Sequence, residues 1–179
     1  MLSQEQRRAL LHIAREAVEA AAKNMPYAPT SDDPVLQRPG AAFVTLRKRG
    51  DLRGCIGSLE AREPLLQNVA NMARAAARDD FRFGPVHLTE VPDLTIDISI
   101  LSPPHRVEDV GEIEVGVHGL IAEQGGQRGL LLPQVPVEWG WDRDEFLGQT
   151  CAKAGLPPDA WRRGADIYAF TAEVFGEEE

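Results

Sequence analysis

Apolar residues at Leu10, Ile13, Ala14, Ala17, Val18 and Ala21 recur at helical spacing and predict one buried face on an N-terminal helix. Ser3 followed by Gln6 reads as a capping box that opens it, and Asn24, Pro26 and Pro29 end it. Residues 26–40 are turn-rich and polar and read as a surface loop. A β-prone run, Phe43 to Leu46, then leads through Arg49-Gly50-Asp51 into LRGCIG, which predicts a β-hairpin. That tripeptide also matches an adhesion motif, but the turn is the favoured reading. Pro64 suits the first turn of a second helix, with Leu66, Val69, Ala70, Ala73 and Ala77 on its apolar face.

Leu94, Ile96, Ile98 and Ile100 alternate with Thr95, Asp97 and Ser99, the period of a half-buried strand. Residues 116–135 read as a second hairpin turning at Gly125-Gly126. Asp142 with Glu145 opens a third helix, which Gly155 ends before Pro157 and Pro158. ADIYAFTAEVF is a closing strand. Helix, hairpin, helix, strand, hairpin, helix, strand calls for antiparallel pairing. The expected class is α+β, with a mainly antiparallel sheet flanked by helices. Arg53-Gly54-Cys55-Ile56 and Arg128-Gly129-Leu130-Leu131 each follow a glycine turn, so the two hairpins echo each other.

The 179 residues suit one domain, or one core with a smaller lobe. No apolar run approaches the roughly 18 residues of a membrane span, and the N-terminus lacks the layout of a signal peptide, so a soluble cytoplasmic protein is expected. A formal net charge of −9, with Glu177, Glu178 and Glu179 at the end, disfavours sequence-independent nucleic-acid binding. Two cysteines, Cys55 and Cys151, make no disulfide framework.

Cys55 carries the sharpest chemical question. In an extended strand Arg53 and Cys55 share one face, where a guanidinium would stabilise a thiolate. Gly54 and Gly57 leave room for a ligand or for another backbone. The thiol is therefore either a reachable group in a site or a small hydrophobe in a tight place. A nucleophile also needs a base, for which His87 and His118 are the candidates. His12 and His105 have no partner in sequence. Arg53, Arg82 and Arg128 either converge on an anionic ligand or pair with acids such as Asp79 and Asp80. Gln134, Glu138, Trp139 and Trp141 follow the second hairpin, as packing or as a stacking wall. Cys151 belongs with Phe146, Leu147 and Ala154 on the apolar side of the third helix. No metal-ligand spacing and no phosphate-binding loop occurs.

Leu52-Arg53-Gly54-Cys55-Ile56-Gly57 resembles the hallmark of the AMME-syndrome candidate protein family, whose prokaryotic members are called AmmeMemoRadiSam system protein A. Asp80-Phe81-Arg82-Phe83, Gly119-Leu120, the run from Arg128 to Val135, Trp141, Phe146-Leu147, Cys151 and Lys153-Ala154-Gly155-Leu156 match in order. The resemblance covers nearly the whole chain, residues 1–179, except residues 26–40. It implies an α+β body of two unequal lobes with a cleft between them, lined by Arg53, Gly54, Cys55, Gly57 and Arg128, and also by Asp80, Arg82 and His118. A small anionic ligand or a partner's segment would bind there, with Cys55 as the candidate nucleophile if the protein is an enzyme, or with LRGCIG as a docking surface if it is a non-catalytic adaptor. The family name implies a Memo-like protein and a radical-SAM protein as associates. It brings no settled reaction, cofactor, metal or oligomeric state.

Overall fold

Serine and glutamine three residues apart open the first helix as the sequence predicts. In the computed structural model, which describes residues 1–177, the Ser3 hydroxyl accepts from the Gln6 backbone N–H at 3.1 Å. The Gln6 side chain returns the bond to the Ser3 N–H at 2.8 Å. Helix α1, Gln4–Ala22, buries Leu10, Ile13, Ala14, Ala17, Val18 and Ala21, the predicted face. Glu178 and Glu179 lie outside the described residues.

The chain forms two units, residues 1–101 with the segment from Glu173 onward, and residues 102–172. In the first, β1 (Ala41–Lys48) pairs antiparallel with β2 (Asp51–Gly57) on one side and with β3 (Leu94–Leu101) on the other. Arg49 and Gly50 both take positive φ, 52° and 89°, which is the geometry of a tight hairpin turn. α3 (Leu65–Arg78) and α1 supply the apolar layer over this sheet. The C-terminal residues close it: Glu177 donates its N–H to Ile96 at 3.1 Å, and its carboxylate accepts from Ile96 N–H and Arg15.

The second unit is built on β7 (Asp166–Gly176), whose early residues pair with β4 (His105–Arg106) and with β5 (His118–Gln124). β6 (Gln127–Leu131) completes the second hairpin, with Gly125 and Gly126 at positive φ. Helix α5 (Arg143–Lys153) starts where the Asp142 carboxylate accepts from Glu145 N–H. It buries Phe146, Leu147 and Cys151 against Leu120, Ala122, Ile167 and Ala169.

Three expectations need correction. Residues 26–40 are not all surface loop: Asp33 caps a short helix α2, Pro34–Gln37, whose Leu36 is 1% exposed. A second short helix, α4 (Gln134–Trp139), follows β6 and ends at Gly140 with φ 68°. The alternation in β3 breaks after Ile98, because Ser99 is buried and Ile100 only half-buried.

The echo between the hairpins has a steric basis. At Gly54 an added Cβ would run into the Ala76 carbonyl of α3, and at Gly129 into the Lys153–Ala154 backbone of α5. Each hairpin's second strand thus lies directly under helix backbone where only glycine fits. Gly54→Ala and Gly129→Ala are each expected to cost about 2 kcal/mol or more in urea unfolding. Gly84→Ala, where an added Cβ meets nothing within 4 Å, is the control and should be near neutral. Equal losses in all three would refute the packing argument.

Candidate functional site

The alternation that would set Arg53 beside Cys55 is broken by a β-bulge. Leu46 faces Gly54 across the hairpin while Arg47 faces Leu52, which leaves Arg53 as the extra residue on β2. Its guanidinium is held by Glu90, Nε to Oε1 at 3.1 Å and Nη2 to Oε2 at 3.3 Å, and Nη2 also donates to the Pro85 carbonyl. Its charge is met by Glu90 rather than left for a thiolate. Nη1 is buried and has no hydrogen-bond partner among the described residues.

Cys55 is half-buried, and its Sγ lies 3.2 Å from the Thr45 hydroxyl. That neighbour is a hydroxyl, not an imidazole. The Cys55 backbone N–H donates to Asp80 Oδ2 at 3.0 Å. Asp80 is 3% exposed and also takes two bonds from the Arg82 guanidinium, at 3.0 and 2.8 Å. The Arg82 guanidinium and the backbone N–H groups of Cys55 and Arg82 hold the Asp80 carboxyl well below the usual carboxylate range, against the opposing effect of burial. The Arg53 and Arg82 guanidinium carbons lie 5.9 and 5.4 Å from the centroid of the Phe83 ring. Phe81, between Asp80 and Arg82, is 96% exposed.

The first unit therefore brings Arg53, Gly54, Cys55, Asp80 and Arg82 into one cluster. Gly57 ends the same strand, where an added Cβ would strike the Phe43 ring. His118 and Arg128 belong to the second unit. There His118 Nδ1 accepts from Glu114 N–H at 3.0 Å, and its ring makes an edge contact with His105 at 6.3 Å. Cys151 is fully buried in that unit's core, where desolvation raises its thiol pKa. Trp139 and Trp141 stack on each other, ring centroids 6.1 Å apart, with Trp139 70% exposed.

Sequence reasoning misses Glu90 and Thr45. Glu90 sits in a 3-10 turn, Leu88–Asp93, and no local spacing links it to Arg53, 37 residues earlier. The signal that marks it is its place three residues after His87, whose N–H its carboxylate accepts at 2.8 Å. Among the described residues no group of three or more His, Cys, Asp or Glu is placed to hold a metal ion. Nor is any helix long and apolar enough to cross a membrane.

This arrangement of hairpin, bulged arginine and buried aspartate sits in a fold already known from uncharacterised archaeal proteins. The AMMECR1 family model matches residues 11–175, and the chain belongs to that family. A protein of Methanothermobacter thermautotrophicus is 46% identical over 187 residues, covering 99% of this chain and 97% of its own. Protein TK0174 of Thermococcus kodakarensis is 46% identical over 182 residues, covering 94% of this chain and 89% of its own. The crystal structure of uncharacterised protein PH0010 from Pyrococcus horikoshii is similar with a TM-score of 0.87 at 44% identity, covering 94% and 90% of the two chains.

Arg53, Lys48 and the His87 N–H draw the Glu90 pKa from its ordinary 4.5 to about 2, with the Arg53 bonds as the largest cause. A lowered folded-state pKa contributes stability that is present above the ordinary value and lost as pH falls toward the folded value. The native protein should lose stability as pH falls from 4.5 to about 2. Glu90→Gln should flatten that slope and cost roughly 2 kcal/mol at neutral pH by leaving Arg53 without its carboxylate. Parallel stability–pH curves for the two proteins would show that Glu90 does not carry the effect.

Proposed function

We propose that the LRGCIG strand and the 80–83 loop of the first unit form a recognition surface for an anionic group, supplied by a small ligand or by an acidic segment of a partner protein. The observation that supports this is the buried Nη1 of Arg53, a donor without an acceptor on a guanidinium otherwise fixed by Glu90 and Pro85. A buried N–H left unpaired is costly, so a carboxylate or phosphate oxygen that reaches Nη1 through a local shift of the residues enclosing it gains more there than at an open surface. Arg82, with its side chain 47% exposed, and the exposed Phe81 ring border the same strand. Among partners, family resemblance alone points to a Memo-like protein and a radical-SAM protein as the first to test. His118 and Arg128 enter this reading only through that resemblance.

A second reading, a covalent intermediate on Cys55, is favoured by one observation: this residue is half-buried while Cys151 is fully buried. It requires that Cys55→Ser abolish a turnover that the folded wild-type protein shows.

The test of the first reading is an NMR titration of the native protein with inorganic phosphate, citrate and a glutamate-containing peptide. Saturable shifts of the Arg53 Nε and Cys55 amide resonances are expected. Arg53→Lys, which keeps the charge but loses the fixed fork, should weaken binding about tenfold. No saturable shift with any probe would end the proposal. Capture of a Memo-like protein that survives Phe81→Ala unchanged would remove Phe81 from it.

A further inference from the structure

A groove of about 410 Å³ lies within the second unit, between α5 and the turn that follows it. Asp144, Glu145 and Gly148 line it from α5, and Pro158, Asp159 and Trp161 line it from the turn. At Gly148 the Pro158 carbonyl oxygen lies 3.4 Å from where a Cβ would stand, so a longer side chain there would be crowded against the turn.

The groove already holds one cation of its own chain. The Arg162 guanidinium carbon stands 4.5 Å from the Trp161 ring centroid, and its Nη2 lies 3.5 Å from Asp144 Oδ2. An aromatic face with a carboxylate at its edge is the chemistry that recognises a guanidinium. The resident arginine is loosely kept. Its side chain is 62% exposed, and exposed ion pairs and exposed cation–π contacts are individually weak. Asp144 is also shared with Arg143 at 3.8 Å, and Asp159 pairs with Arg163 at 2.7 Å, so the carboxylates already serve exposed, exchangeable guanidinium groups. Glu145 adds a third carboxylate.

We propose that this groove receives an arginine side chain from a partner protein, with Arg162 as the resident stand-in that the partner's arginine displaces. An arginine-bearing segment is the occupant because the site offers a ring face and carboxylates together, and a guanidinium already rests on both. The mechanism is exchange of one guanidinium for another, with no covalent step. It is independent of the anion-recognition reading, which concerns other residues in the other unit.

The test is an NMR titration of the ¹⁵N-labelled full chain with a Gly-Arg-Arg-Gly peptide, beside Gly-Lys-Lys-Gly and Gly-Glu-Glu-Gly peptides. The arginine peptide should shift the Trp161 indole and Gly148 amide resonances saturably, the lysine peptide more weakly, and the glutamate peptide not at all. Arg162→Ala removes the competitor and should tighten binding about fivefold. Gly148→Met fills the groove and should abolish binding while the remaining amide spectrum is kept. The proposal is overturned if neither wild type nor Arg162→Ala gives a saturable shift, if Arg162→Ala binds no more tightly, or if the glutamate peptide acts as well as the arginine peptide. If Gly148→Met does not fold, the Arg162→Ala comparison decides.

Discussion

A carboxylate buried to 3% exposure dictates much of the first unit. Asp80 is stable there only because it is paired and hydrogen-bonded. An isolated buried charge is strongly unfavourable, and removing one partner of such a pair typically costs about 3–5 kcal/mol. Its partners are the Arg82 guanidinium and the Cys55 backbone N–H. The second of these matters for the sheet. β2 is the outer strand of the β2-β1-β3 order, and an outer strand presents unpaired backbone donors. Asp80 takes the donor at Cys55, which fixes the strand where the thiol stands. The same pairing anchors the residues on either side of Phe81, so that ring is exposed on an anchored loop rather than a loose one.

That constraint separates two kinds of residue within LRGCIG. Gly54 and Gly57 are explained by what they touch, the Ala76 carbonyl and the Phe43 ring, and need no ligand to account for them. Gly129 in the second hairpin repeats the first case against α5. A motif that looks chemically bare is in part a record of close packing. Arg53 and Cys55 are what packing leaves over. The bulge turns one toward Glu90, and the hairpin register sets the other opposite Thr45.

The parts of this fold that sequence reading reaches are those fixed by near neighbours. The Ser3–Gln6 box, the Arg49-Gly50 and Gly125-Gly126 turns and the Asp142 cap each join residues within a few positions. Elements set by distant partners escape it. β4 is two residues long and exists because His105 and Arg106 find β7 some sixty positions later. The Asp33 cap of α2 is a local signal inside a stretch whose proline and polar content reads as loop. In the site, Arg82 and Asp80 were reachable as one of two alternatives for the arginines, pairing with acids, which is what Arg82 does, and Arg53 through the hairpin. Glu90, which decides where Arg53 points, was not, because only tertiary structure brings a 3-10 turn against the bulge. A shared face for Arg53 and Cys55 follows from ideal alternation, and one extra residue in β2 suffices to void it.

The pairing of Arg53 with Glu90 also bears on what kind of recognition the first unit can perform. A bare guanidinium on a protein of net charge −9 would attract anions by charge, with a strong dependence on ionic strength. Arg53 has its charge largely compensated by a carboxylate at 3.1 Å. What remains uncompensated is directional, the single Nη1 donor enclosed by protein. Such a donor selects for an acceptor at one position rather than for negative charge in general. Anion recognition of the kind proposed for this strand would then rest on shape and hydrogen-bond geometry, and would change little with salt. Arg82 is paired in the same way, with Asp80 at 2.8 Å, although its side chain is 47% exposed. The bulge in β2 therefore converts a cation that would be an electrostatic lure into a fixed hydrogen-bond donor.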